Sequence, residues 1–180
     1  MLFRSSTAMK TSADLAALTR QKTWDKDVVL WVGSEHALLH TLGQTSYAVL
    51  DLLDLFDEDC LPMDHEETQV HLRRGLRHRL QSLQVGSARR TVLIVKSIGL
   101  LARYHAGVRE FYEWFCGDFA MVVLLLDGLL EERLWPEEVI CDTDSLRKYF
   151  DTPGVVKQVF GEGRPLSWAP SADAVAGEKG

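Results

Sequence analysis

Residues 119–126 read FAMVVLLL, and this run decides the fold together with DVVLWV at 27–32 and TVLIV at 91–95. All three runs are short, apolar and rich in β-branched residues. Continuous apolar runs without polar alternation are typical of strands buried on both faces of a parallel sheet. Residues 47–50 are a weaker strand candidate, because the following LLDLF stays apolar and also suits a helix.

Helical segments separate these strands. Residues 13–22 favour a first helix, and Ser34 can cap a second helix that stops at Gly43. The clearest helix covers residues 65–83, and residues 105–115 predict another. The helix at 65–83 has an apolar stripe formed by Leu72, Leu76, Leu80 and Leu83. Alternating strands and helices predict a three-layer α/β domain with a mostly parallel sheet.

Chain length and composition favour one domain in the cytoplasm. The chain has 180 residues, enough to bury a core without metals or disulfides. We predict a domain over 13–163 with flexible ends at 1–12 and 164–180, where the sequence is small and polar. The longest apolar run has 8 residues, far fewer than the roughly 20 of a bilayer-spanning helix. The start of the chain lacks a signal-peptide pattern, and three scattered cysteines predict neither disulfides nor a structural zinc site.

The charge is unevenly distributed along the chain. The net charge is −6, yet residues 51–67 hold eight acids without a cation, and residues 68–90 hold six arginines without an acid. Two solvated, mutually attracting stretches would explain this pattern. A contact between the basic stretch and phosphate or an acidic partner would explain it as well.

The predicted strand ends lack the chemistry of a nucleotide hydrolase. A phosphate loop needs GxxxxGK[ST] after the first strand, and only Gly33 fits that pattern here. The central strand ends in Lys96 and Ser97 where a hydrolase places a magnesium-binding acid. Asp127, which follows the third strand together with a glycine, is typical of a turn.

No metal or nucleophile motif stands out either. His36 and His40 share a helical face, but HExxH is absent and a surface pair is the simpler interpretation. We therefore predict no catalytic residue, no cofactor and no metal ligand, hence a protein that is not an enzyme. An unconventional enzyme site around His36, Lys96 and Asp127 remains an alternative hypothesis.

Arginine and tryptophan are the residues that most often anchor interfaces. The basic helix offers a surface for a partner protein or, as an alternative, for nucleic acid. The candidate contact residues are Arg73, Arg74, Arg77, Arg79, Arg89, Arg90, Trp114 and Trp135.

The order of elements resembles the RecA/P-loop NTPase fold without its nucleotide-binding motifs. The stretch TVLIVKSIGLLARYHAGVREFYEWF, a strand ending in LLLDG, and RKYFDTPGVVKQVF resemble accessory proteins of BREX phage-defence systems. The BrxB family is the first comparison and the P-loop-bearing BrxF family the second. The matching features fall on the strand at 92–95 and on Gly99, Tyr104, Gly128 and Tyr149-Phe150, within residues 91–160.

This resemblance implies a non-enzymatic subunit of a bacterial multi-protein assembly involved in antiviral defence. It further implies a larger partner, a PglZ-type protein resembling alkaline phosphatase. The hypothesis from the sequence is therefore a cytoplasmic interaction or scaffold subunit. A nucleic-acid-binding adaptor using Arg73, Arg74, Arg77 and Arg79 is the alternative.

Overall fold

The computed structural model describes residues 9–57, 64–84, 89–127 and 159–162. Within these ranges the chain forms one five-stranded sheet in the order β2-β3-β4-β1-β5, and every neighbouring pair is parallel. The strands are β1 (Val28–Val32), β2 (Tyr47–Asp51), β3 (Thr91–Lys96), β4 (Ala120–Leu126) and β5 (Val159–Gly161). The helices are α1 (Ser12–Thr19), α2 (Glu35–Leu42), α3 (His65–Gln84), α4 (Gly99–Arg103) and α5 (Arg109–Trp114), with a 3₁₀ helix at Leu52–Leu55.

The three apolar runs are strands, as predicted. Every residue of β1 is buried, and so is every residue of β4 after Ala120. The weaker candidate is also a strand, β2, and the LLDLF that follows it turns into the 3₁₀ helix. Phe119 was predicted to begin β4, but it lies in the preceding turn and is 56% exposed.

The caps predicted for α2 are confirmed, but the first helix ends at Thr19 rather than at residue 22. Ser34 caps α2 by accepting the Ala37 N–H, and Gly43 ends the helix with a positive φ of 57°. The predicted helix over 105–115 is wrong at its start. A separate α4 comes first, and α5 begins only at Arg109, because His105 has a φ of 48° and Gly107 one of 69°. Those left-handed residues interrupt the helical path.

Helices cover both faces of the sheet. Alternate strand residues point to opposite faces, so Val28, Leu30 and Val32 share one core cluster with leucines of α3. Val29 and Trp31 pack on the other side with residues of α1 and α2. The structure is therefore a three-layer α/β domain with a parallel sheet between α1–α2 and α3–α5.

β5 was not predicted from the sequence. It pairs with β1 at the edge of the sheet, and the Lys10 backbone joins it through hydrogen bonds to Val159 and Gly161. Lys10 belongs to the N-terminal segment for which the sequence predicted flexibility. The approach is close at Gly161, where an added Cβ would lie 2.6 Å from the Val32 carbonyl oxygen.

Several sequence predictions fall outside the described residues. They concern Gly128, Trp135, Tyr149-Phe150 and the C-terminal segment 164–180. Among the helices that the structure does describe, none has the length and apolar character needed to span a membrane.

Candidate functional site

The carboxyl edge of the sheet, where the parallel strands end, lies between crossovers on opposite faces, and we call it the strand-end region. The helix after β1, α2, covers one face, whereas α4, which follows β3, covers the other. Open α/β sheets bind ligands near strand ends whose connections leave in opposite directions. The strand-end region is therefore the first candidate for a ligand site.

An ion pair lies in this region. Lys96 Nζ, at the end of β3, lies 3.0 Å from Glu35 Oε2 in the first turn of α2. Both side chains are partly buried, with 26% of the Lys96 side chain and 32% of the Glu35 side chain exposed. The end of β3 thus carries an ammonium rather than a carboxylate that could bind magnesium, and the first turn of α2 carries a carboxylate that would repel phosphate.

The electrostatic surroundings keep Lys96 charged. The hydrogen bond with Glu35 raises the pKa of Lys96, burial opposes this shift, and the negative charges of Glu35, Asp51 and Asp127 raise the pKa further. A lysine acts as a nucleophile or general base when its pKa is lowered. The raised pKa therefore keeps the Lys96 ammonium protonated and paired with Glu35, which disfavours nucleophilic chemistry at this nitrogen.

The turn between β1 and α2 satisfies its own polar groups. The Ser34 side chain accepts the Ala37 N–H at 3.2 Å, and the Trp31 indole N–H donates to the Ser34 carbonyl oxygen. Gly33 has a φ of 153°, and a Cβ added there would lie 2.9 Å from Glu162 Oε2. A phosphate loop instead keeps backbone N–H groups free for the anion.

Asp51 and Ser97 form a second contact at this edge. The Ser97 hydroxyl donates to Asp51 Oδ1 at 2.6 Å, and the same oxygen accepts the Leu53 N–H at 3.1 Å. Ser97 has a positive φ of 59°, which is unfavourable for a residue with a Cβ. The bond to Asp51 holds Ser97 in this conformation and ties the end of β3 to the 3₁₀ helix.

A second candidate site lies between α3 and α5 on the face away from α1. It is a groove of about 500 Å³, which we call the arginine groove. Four arginines outnumber two glutamates along its walls, which makes it basic within an acidic chain. It is lined by Val70, Arg73, Arg74, Arg77, Ala106, Arg109, Glu110 and Glu113.

The end of the groove contains a buried carboxylate. Glu110 is only 8% exposed, and its Oε2 lies 3.5 Å from Arg77 Nε in an ion pair without hydrogen-bond geometry. Arg77 also stacks over the Trp114 ring at 5.4 Å. Its guanidinium therefore bridges the two helices and balances a charge that would be costly to bury alone.

Arg73 and Arg74 differ in what they contact. Arg73 donates to the carbonyl oxygens of His105 and Ala106, so it supports the turn between α4 and α5. Arg74 is exposed and forms no bond or ion pair with another described residue. Within the arginine groove, the Arg74 guanidinium is the group most available for an external anion.

The remaining predicted contact residues do not join this groove. Arg79 is exposed elsewhere on α3, and Arg89 is exposed near the start of β3. Arg90 stacks on the buried Trp24 ring at 4.2 Å, with two guanidinium nitrogens that lack a hydrogen-bond acceptor. The six arginines of the basic stretch are thus divided among separate surfaces, and Trp135 lies outside the described residues.

Titratable groups elsewhere offer little chemistry. His36 and His40 are exposed on α2, and no cluster of three His, Cys, Asp or Glu suited to a metal occurs in the described ranges. Burial raises the pKa of the Cys116 thiol to about 12, with a smaller contribution from Asp27. At neutral pH this thiol is protonated and therefore a weak nucleophile.

Sequence analysis missed the part of the groove that α5 supplies. Arg109 and Glu113 pair four residues apart along α5, a spacing that signals a helix face. Nothing in the sequence indicates that this face lies against Arg73 and Arg77, because α3 and α5 are separated by β3 and α4.

The fold and these sites define an α/β domain with a parallel sheet, an ion pair in the strand-end region and a basic groove between two helices. Comparisons with protein-family models, curated proteins and solved structures find no match to this chain.

Proposed function

We propose that this protein is a non-enzymatic interaction subunit that binds an acidic segment of a larger partner in the arginine groove. The observation that carries the proposal is Arg74, an exposed guanidinium in a basic groove without a partner among the described residues. Arg77 and Trp114 beside it are residue types that anchor interfaces. A carboxylate from the partner would complete the groove through paired N–H donors.

The same proposal includes a P-loop-like ancestry without nucleotide chemistry. The parallel sheet and the strand–turn–helix at β1–α2 support it, since a phosphate loop connects such a strand and helix. The Lys96–Glu35 ion pair supports the loss of nucleotide binding, because the Glu35 carboxylate in the first turn of α2 would repel a phosphate there. Titration calorimetry with ATP or GTP and magnesium is expected to show no binding heat.

The BREX resemblance names a specific partner for this function. In that version, the PglZ-type protein supplies the acidic segment and the chain acts as a scaffold in a bacterial defence complex. Affinity purification of the tagged chain from its native host would then recover the PglZ-type protein in stoichiometric amount.

The decisive experiment compares two charge reversals on α3. Arg74→Glu lies in the groove, whereas Arg79→Glu makes the same charge change on the same helix outside it. Loss of the stoichiometric partner with Arg74→Glu and its retention with Arg79→Glu would support the proposal. Equal recovery with both variants, or no stoichiometric partner for the unchanged chain, would refute it.

Nucleic acid is the second candidate ligand of the same groove, since its arginines would also contact phosphates. Filter binding of single- and double-stranded DNA at low and moderate salt separates the two functions. Retention that falls steeply with salt and is lost in Arg74→Glu favours nucleic acid. The protein-docking proposal predicts no retention at moderate salt.

A further inference from the structure

On one side, the backbone of the edge strand β2 hydrogen-bonds to none of the described residues. Its neighbour β3 donates from the Val92 N–H to the Ser46 carbonyl oxygen at 2.9 Å. This bond sets the alternation of the ladder, so residues 46, 48 and 50 direct their backbone groups to β3. The N–H and C=O groups of Tyr47 and Val49 therefore point outward, and none of the described residues hydrogen-bonds to them.

The side chains of this edge are apolar and exposed. Tyr47 and Val49 are 46% and 45% exposed on a strand whose neighbour is almost wholly buried. Tyr47 and Val49 pair in register with Val92 and Ile94, so their side chains lie on the same face of the sheet. Helices α1 and α2 cover this face only nearer the centre of the sheet. On that face, the hydrophobic surface thus extends to the edge of the sheet, where none of the described helices covers it.

The strand lacks the features that normally protect a sheet edge. Natural edges carry lysine, proline, bulges or inward charges that prevent further strand pairing. The charge of β2 is confined to Asp51 at its carboxyl end, since Tyr47-Ala48-Val49-Leu50 contains none of these residue types, and the pairing with β3 is continuous over five residues. Over Tyr47 to Leu50, where no described residue covers the edge, the strand can therefore accept another strand.

Charge at the two ends of β2 indicates what kind of strand fits. Asp51, Asp54 and Asp57 make the carboxyl end acidic, while residues 44–46 at the other end are Gln, Thr and Ser. If the β2 strand of a second copy of this chain paired antiparallel with β2, its uncharged residues 44–46 would lie beside these aspartates. The second copy would therefore supply no cation to them. A strand with lysine or arginine at the matching end would supply one.

We propose that β2 is a docking strand for an extended apolar segment of a partner protein that carries basic residues beside Asp51 and Asp54. Main-chain hydrogen bonds to Tyr47 and Val49 provide affinity, and alternate apolar side chains pack on those two residues. The acidic end of β2 sets the position of the incoming strand. This docking is independent of the arginine groove, which has the opposite charge and lies on α3 and α5.

The test uses three fluorescent synthetic peptides and the full chain. Each peptide has five alternating valines and threonines, with two lysines at the amino end, two lysines at the carboxyl end, or two glutamines at both ends. Fluorescence anisotropy is expected to show one lysine peptide binding at least tenfold more tightly than the glutamine peptide. Similar affinities for all three peptides would overturn the charge argument.

Variants of Val49 locate the binding. Val49→Pro removes an outward N–H without removing a β2–β3 bond, and Val49→Lys adds a protective charge. Both are expected to weaken lysine-peptide binding at least tenfold, while Arg74→Glu, which lies on α3 and outside β2, leaves it unchanged. Circular dichroism identifies a variant that fails to fold. Binding that survives in every folded Val49 variant, or a concentration-dependent dimer that Val49→Lys abolishes, would refute the proposal.

Discussion

Lys96 Nζ and Glu35 Oε2 lie 3.0 Å apart, and their ion pair joins the end of strand β3 to the first turn of α2. The pair connects residues from two crossovers on opposite faces of the sheet. Asp51 and Asp127 raise the pKa of Lys96 further, so the ammonium stays charged among three carboxylates. The ion pair thus ties β3 to α2 across the strand-end region.

Lys96→Met should lower stability by about 1 kcal/mol at pH 7, because three carboxylates then lose their common cation. The folded-state pKa of Lys96 is raised above its ordinary value of 10.5. Its contribution is therefore complete below that pH and disappears as pH rises through the folded-state pKa. Urea unfolding at pH 7 and pH 11 measures the difference. Lys22→Met, an exposed lysine, is the control, and a pH-independent loss in Lys96→Met would contradict the prediction.

Arg77→Ala should destabilise the protein by about 2 kcal/mol, because it leaves Glu110 buried without its cation. Adding Glu110→Gln should recover part of this loss. Arg74→Ala changes a residue three positions earlier on the same helix and should change the stability by less than about 0.5 kcal/mol. Thermal and urea unfolding test this contrast. Equal losses for the two arginine variants would show that the ion pair contributes nothing.

Ser97→Ala and Ser97→Gly separate a hydrogen bond from backbone strain. Both lose the bond to Asp51, which should contribute about 1–2 kcal/mol. Only glycine adopts the positive φ of 59° freely, which should make Ser97→Gly about 1 kcal/mol more stable than Ser97→Ala. Urea unfolding of both variants gives the comparison. The reverse order would mean that the left-handed conformation at this strand end is not strained.

Gly161→Ala should cost about 2 kcal/mol through overpacking. Its Cβ would lie 2.6 Å from both the Val32 carbonyl oxygen and the Met9 sulfur, and the carbonyl is backbone that cannot rotate away. Gly117→Ala, with no atom within 4 Å of the added Cβ, is the matched control and should be nearly neutral. Hydrogen exchange at Lys10 should also quicken in Gly161→Ala. Unchanged exchange and stability would contradict the close packing of β5 on β1.

Local patterns in the sequence determined the main elements. The continuous apolar runs identified β1, β3 and β4 because strands covered on both faces have no polar side. The leucine stripe identified α3, and Ser34 and Gly43 identified the ends of α2, because caps satisfy backbone groups within a few residues. β5 was not predicted, because a three-residue strand leaves almost no periodic pattern in the sequence.

Only the tertiary structure decided which side chains meet. Lys96 and Glu35 are far apart in the chain, and the arginine groove needed Arg109 and Glu110 from a helix beyond β3. Strand order and the faces taken by the crossovers bring these residues together. Helical and strand periodicities specify which side of an element is buried but not which element covers it, so the sequence alone could suggest the basic helix and not the groove.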